Sequence, residues 1–304
     1  MSSTMTTSTA TPETPVANAP MQPRRRTSID WGIVLRHLFL LAFGITIIYP
    51  VLWLIFSTMK PNNEIFSQVN LIPRQWEFGN FAEGWFAIRG YSFGLFFRNS
   101  FIISGLSIIG TVISTSFAAY AFARLRFPFK KVLFAVLLST MMLPPQIILV
   151  PRYILMSALG WIDTFLPIAG PKFFGSFGVF VFLLTQFIRG IPKELDEAAI
   201  IDGCGRMRFL VSILLPLMKP ALFTVALFTF MWTWQDFMGP LIYINSIELY
   251  PLPLALNLFL DATAATNWGA LFSMMVLSIL PIIVIFFVAQ KYFVQGIVTT
   301  GMKG

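Results

Sequence analysis

Residues 191–222 read IPKELDEAAIIDGCGRMRFLVSILLPLMKPAL, and two different patterns meet in them. On the N-terminal side, Pro192 suits a first helical position. Glu194, Asp196 and Glu197 fall in the first turns, where carboxylates favour the positive end of the helix dipole. Gly203 supplies a left-handed stop. These signals predict a short amphipathic helix, about 192–203, outside the membrane. Leu195, Ala198, Ala199 and Asp202 share one of its faces by i, i+3, i+4 spacing. On the C-terminal side, residues 209–234 are apolar all round, long enough to cross a bilayer core of about 30 Å. A polar helix running straight into an apolar span predicts an all-α, membrane-embedded chain.

The rest of the sequence agrees. Of 304 residues, 57% are hydrophobic and 11% charged, against about 25% charged in an ordinary soluble domain. Mean hydropathy is +0.77. Six apolar runs are evident, at 38–59, 99–123, 132–156, 166–188, 209–234 and 268–290. A lipid-embedded backbone must satisfy its own hydrogen bonds, so each run reads as a helix. A β-barrel would instead show alternating segments of about ten residues. The expected architecture is a polytopic bundle of six transmembrane helices with a short helix on one side. Residues 1–23, rich in Ser, Thr, Pro and Ala, lack the bulk to fold and are expected to be a disordered tail. The run after Arg24, Arg25 and Arg26 is too long, and ends in residues too bulky, for a cleaved signal peptide.

Charge orients the bundle. Fourteen Lys and Arg fall on the side of the termini, including Arg124, Arg126, Lys130 and Lys131 in one short loop, and five on the other. The positive-inside rule therefore places both termini in the cytoplasm, with the 192–203 helix. The net charge of +8 follows from this topology and does not require nucleic acid.

Catalytic motifs are lacking. No phosphate-cradling loop follows a strand; the string GIVTTGMKG at 296–304 lacks the required spacing and context. There is no HExxH or GxSxG. One Cys (Cys204) and one His (His37) supply neither an internal disulfide nor a metal cluster. The expectation is a chain that is no enzyme, does not bind ATP itself and holds no cofactor or metal. A self-sufficient secondary transporter or channel is the alternative. That class predicts intramembrane carboxylates or inverted repeats, and neither is visible.

Glu197-Ala198-Ala199, three residues, Gly203, nine residues, Ile213, one residue and Leu215-Pro216 match the EAA signature, EAA-x3-G-x9-I-x-L-P, at every position. By that motif the chain resembles the permeases of ABC importers. The segments FSTMKPNNEIF (56–66), ARLRFPFKK (123–131), MMLPPQIILVPRYILMSALGWIDT (141–164) and FMWTWQDFMGPLIYINSIELYPLP (230–253) extend the likeness to carbohydrate-uptake permeases of the maltose-transporter type. The likeness covers about residues 30–300 and is strongest to the six-span partner of the pair. It implies a transmembrane domain over 24–304 in the cytoplasmic membrane. The short helix is then a coupling helix docked on a cytoplasmic ATPase dimer, beside a second permease chain and an extracytoplasmic solute-binding protein. Glu197 would make the polar docking contact, Ala198 and Ala199 the close fit and Gly203 the turn, with Asp202 and Arg206 as further contacts. The solute would be a sugar or a sugar-like molecule such as glycerol phosphate.

Polar groups inside spans are costly and mark function. Asn99, Ser100, Gln186, Trp234 and Asp236 are therefore candidates for the substrate pathway, although tryptophans also gather at membrane interfaces. Pro144, Pro145, Pro216 and Pro220 are either hinges or fixed kinks. Lys172 and Lys219 lie near span ends, where lysine snorkels to the interface.

Overall fold

The computed structural model describes residues 31–301 except 68–69, 89, 176 and 261–265. The tail expected over 1–23 lies outside the described residues. Among these the chain is helical and contains no strand. The chain divides into two compact units between Tyr49 and Pro50. The described part of the first is the N-terminal stretch of α1 (Trp31–Ser57), an exposed apolar helix.

The remaining elements are α2 (Gly79–Trp85), α3 (Phe93–Arg124), α4 (Lys130–Thr140), α5 (Leu149–Ala158), α6 (Leu166–Ala169), α7 (Gly178–Arg189), α8 (Glu194–Ile201), α9 (Arg206–Phe209), α10 (Leu215–Leu217), α11 (Lys219–Trp234), α12 (Met238–Tyr243), α13 (Leu252–Asn257) and α14 (Trp268–Gly301). Among the described residues four helical stretches are long and apolar enough to cross a membrane: Trp31–Ser57, Phe93–Arg124, Leu166–Arg189 and Trp268–Val288. The pair Arg206–Leu217 with Lys219–Trp234 is long and apolar enough when taken together, but is bent by 79°, as in a broken span or a re-entrant loop.

Three of the expected spans are not single helices, that at 166–188 being α6, a 3-10 segment (Gly170–Phe174) and α7. The run at 132–156 splits into α4, a turn, a 3-10 segment (Pro145–Ile148) and α5. Pro144 and Pro145 cannot donate to the preceding turn, so the helix stops before them. The run at 209–234 passes through a π-helical turn (Leu210–Leu214) and α10 before breaking ahead of α11. Pro216 and Pro220 each remove a backbone donor there, and the wider π turn and the bend accommodate the loss.

α3 is the centre of the second unit. Ser100, Ser104, Ser107, Gly110, Thr111, Thr115 and Ala119 form a buried stripe along it at spacings of three and four. Small side chains let neighbouring backbones approach closely where lipid supplies no hydrophobic drive between helices. The approach is tightest at Gly110, where a Cβ would lie 2.6 Å from the Phe173 ring. That contact seats the 3-10 segment Gly170–Phe174 against α3, and the Ser114 hydroxyl donates to the Lys172 carbonyl at 2.7 Å.

Below this, one apolar cluster joins the helices at the end where α3 finishes. It contains Ala119 and Tyr120 of α3, Phe180, Leu184 and Ile188 of α7, Ala199 of α8, Phe209, Leu210, Leu214 and Met218. At the opposite end the outer segments are pinned by polar side chains. Asn99 Nδ2 donates to the carbonyls of Glu248 (2.7 Å) and Tyr250 (3.1 Å), and the Ser100 hydroxyl accepts from Leu252 N at 2.8 Å.

Candidate functional site: an exposed acidic helix and a charged cavity

α8 begins two residues later than the proline suggests, at Glu194, with Glu194, Asp196 and Glu197 in its first turn. It ends as the glycine predicts. Gly203 has φ +70°, Gly203 N donates to Ile200 O at 3.0 Å, and Cys204 N donates to Ala199 O at 2.8 Å. This double bond around a left-handed residue caps the last free carbonyls.

The helix turns one face into the protein and one face out. Ala199 is 5% exposed and belongs to the core cluster. Ile200 and Ile201 are 71% and 85% exposed, and Glu194, Leu195, Glu197, Ala198 and Asp202 are also exposed. The two alanines expected to give one close-fitting surface thus diverge. A helix rotates about 100° per residue, so Ala198 faces out while Ala199 packs inward.

Two side chains of α3 hold this region, Arg124 at α8 and Tyr120 at the start of α9. Arg124 Nε lies 2.9 Å from Asp196 Oδ2, with the Arg124 side chain 5% exposed. The Arg124 Nη2 donates to Ile191 O at 2.8 Å, and the Tyr120 hydroxyl reaches Arg206 O at 3.4 Å. Burial pushes the Asp196 carboxyl above the usual carboxylate range, while Arg124 and Lys193 draw it back. Arg206 is exposed, and Cys204 is half-buried beside this joint. The sequence assigns Asp196 only to the helix dipole and Arg124 only to topology. Their pairing is non-local, and no periodicity announces it.

The five pathway candidates do not form one cluster. Asn99, Ser100 and Trp234 are buried. The first two tie the outer segment to α3, and Trp234 Nε1 donates to Ser278 O at 3.0 Å while its ring packs 4.7 Å from Phe101. Gln186 is exposed on α7. Asp236 lines a cavity of about 270 Å³ together with Arg152, Lys172, Phe177, Trp232, Thr233 and Tyr243, and Trp234 lines a separate one with Leu252, Met275 and Ser278. Trp232 stacks on Phe180 at 5.1 Å, and Asp236 Oδ1 accepts from Gly239 N at 3.0 Å. Among the described residues no group of His, Cys, Asp and Glu could hold a metal.

Lys172 sits in the 3-10 segment Gly170–Phe174. Its carbonyl meets Ser114, ten residues before the Arg124 end of α3, which is about 15 Å along the helix axis. The helix breaks inside the 166–189 segment, and its 3-10 part rests against Gly110.

A bundle of apolar, interrupted helices that carries an acidic helix fixed to its core yet open outward is the architecture of a membrane transport component. Residues 110–299 match the family described as "Binding-protein-dependent transport system inner membrane component", and the chain belongs to that family, the permeases of ABC transporters. It is 34% identical over 283 residues to "Probable ABC transporter permease protein YurM" of Bacillus subtilis (strain 168), covering 93% of this chain and 92% of that protein. It is 30% identical to the "sn-glycerol-3-phosphate transport system permease protein UgpE" of Brucella abortus (strain 2308), covering 87% of this chain and 95% of the relative. The fold matches a bacterial ABC transporter involved in import of the acidic polysaccharide alginate, with a TM-score of 0.78 and 20% identity over 90% of this chain and 100% of the other. Membership implies an ATPase and a solute-binding protein as partners.

Proposed function

We propose that this chain is one of two different membrane subunits of an ATP-driven importer for a sugar or sugar-like solute, and that α8 is the helix through which a separate ATPase dimer moves it. The observation that carries this is the two-faced construction of α8. Its inner face is fixed by Ala199 and the Arg124–Asp196 pair, and its outer face presents Glu197, Ala198, Ile200 and Ile201. A push on the outer face is thereby delivered to the end of α3, whose other end holds the outer segments through Asn99 and Ser100. Packed elements of this kind move as rigid bodies between discrete arrangements.

The remaining assignments follow. Glu197 makes the polar contact to the ATPase, with Asp202 and Arg206 beside it, and Gly203 sets the turn. Both termini lie in the cytoplasm. The bundle crosses the membrane six times, with 132–156 crossing as a broken segment. ATP and Mg belong to the ATPase, and the binding protein docks on the opposite face. Relatives named for arabinooligosaccharides, diacetylchitobiose and sn-glycerol 3-phosphate support a carbohydrate-like solute.

The test is uptake by proteoliposomes holding the complete importer. Uptake requires ATP, persists with an ionophore, and is lost with Glu197→Lys or Gly203→Pro while ATP hydrolysis continues. Uptake that survives without the ATPase, or that both variants leave intact, overturns the assignment.

A further inference from the structure

The cavity lined by Asp236 carries an excess of positive charge. Arg152 and Lys172 both line it, against the single carboxylate of Asp236. Neither cation is paired: among the described residues the ion pair is that of Arg124 with Asp196, remote from the cavity. Arg152 Nη2 donates to Pro167 O at 2.8 Å, and its guanidinium lies 5.7 Å from the Tyr243 ring. That leaves most of its five donors free. The Lys172 ammonium stands 3.6 Å over the Phe177 ring. Asp236 answers Gly239 N with one oxygen.

Unpaired cations within a bilayer are costly and line pathways. Irregular backbone at that depth is tolerated where it lines a cavity, and both cations lie in or beside such segments, at Gly170–Phe174 and just after Pro145–Ile148. The half-exposed face of Trp232 and the Thr233 hydroxyl complete a wall suited to a sugar-sized molecule.

We propose that this cavity receives an anionic group, a carboxylate, sulfonate or phosphate, carried by the transported solute, with Arg152 and Lys172 as its binding residues. The importer so described takes acidic rather than neutral sugar-like solutes. The assignment rests on the importer reading above.

The experiment reads the cavity's charge directly. Cys204 is the one cysteine of the chain, so Thr233→Cys in a Cys204→Ser background places a single thiol in the cavity; Trp232→Cys, half-exposed, is the second variant. The complete importer is held in phosphatidylcholine nanodiscs and labelled with methanethiosulfonates bearing a sulfonate, a trimethylammonium or a neutral methyl group, each rate divided by its rate with free thiol. The sulfonate reagent is expected to react about tenfold faster than the cationic one. The preference falls toward unity in Arg152→Gln and Lys172→Gln and survives Lys172→Arg. Equal rates, a cationic preference, no reaction with the neutral reagent, or slowing of the sulfonate by added phosphatidylglycerol overturns the proposal. Labelling needs no nucleotide, so its outcome is separate from ATP dependence, which judges the importer reading.

Discussion

Arg124 Nε and Asp196 Oδ2 stand 2.9 Å apart, joining the last residue of α3 to the first turn of α8. The Arg124 side chain is nearly inaccessible, and the same guanidinium holds Ile191 O. One side chain therefore fixes both the entry to α8 and its first turn. The pair is a joint between α8 and the bundle, and under the proposed coupling role the exposed residues of α8 transmit force through it.

Breaking this joint uncouples the two parts without unfolding either. Arg124→Gln leaves Asp196 half-buried without its partner. A fully buried pair broken this way costs roughly 3–5 kcal/mol, and the partial exposure of Asp196 reduces this to about 1–2 kcal/mol. Hydrogen exchange in 192–203 should accelerate about tenfold or more, uptake should fall, and ATP hydrolysis should continue. Asp196→Asn, which keeps the shape, should do less. Unchanged exchange in Arg124→Gln would remove the joint from the mechanism.

Gly203 offers a graded test of the same lever. At φ +70° an L-residue is strained, by about 1–2 kcal/mol for a Cβ in the left-handed region. Nothing lies within 4 Å of where that Cβ would be, so Gly203→Ala pays only the backbone cost. Gly203→Asn should be milder still, because Asn tolerates this conformation. Gly203→Pro cannot adopt it at all. Uptake should fall in the order Gly, Asn, Ala, Pro. A flat series would show that the turn does not govern docking.

The sequence made some of this legible and hid the rest, for one physical reason. Lipid acts on every residue of a span locally, so long apolar helices such as Phe93–Arg124 and Trp268–Gly301 can be read from composition, and a turn such as Gly203 from its neighbours. Partnerships across the chain cannot. Asn99, Ser100 and Trp234 stand out as polar groups within apolar runs, yet their partners are Glu248, Tyr250, Leu252 and Ser278, on segments far along the chain. Lys172 shows the same effect. Counted along the chain it is near a span end, and only the break at Gly175 and the seat at Gly110 place its segment against the middle of α3.

That seat can be tested apart from transport. A Cβ on Gly110 would lie 2.6 Å from the Phe173 ring, and overpacking of this kind costs about 1–3 kcal/mol. Gly110→Ala should lower the thermal stability of the detergent-solubilised chain, and Phe173→Ala should restore part of the loss by making room. If the double variant is no more stable than Gly110→Ala alone, the two residues do not meet as described.

Asp163 and the 243–246 segment form a pH-sensitive tether. Asp163 Oδ1 accepts from Asn245 N at 2.9 Å and Ser246 N at 2.8 Å, and Oδ2 pairs with the Ser246 hydroxyl at 2.5 Å. The Ser246 hydroxyl, then the two backbone donors, hold the Asp163 carboxyl below its ordinary value of 3.8. The ionised form is thus favoured in the folded chain. Its contribution is complete above the unfolded value near 3.8 and is lost as pH falls through the lower folded value. Acidification from pH 5 to about 3 should therefore raise hydrogen exchange at residues 243–246 in the native chain. Asp163→Asn should show raised exchange already at pH 7 and a much smaller further rise in acid. A native chain whose exchange at 243–246, corrected for intrinsic rates, stays flat across that interval would mean that Asp163 does not secure this segment.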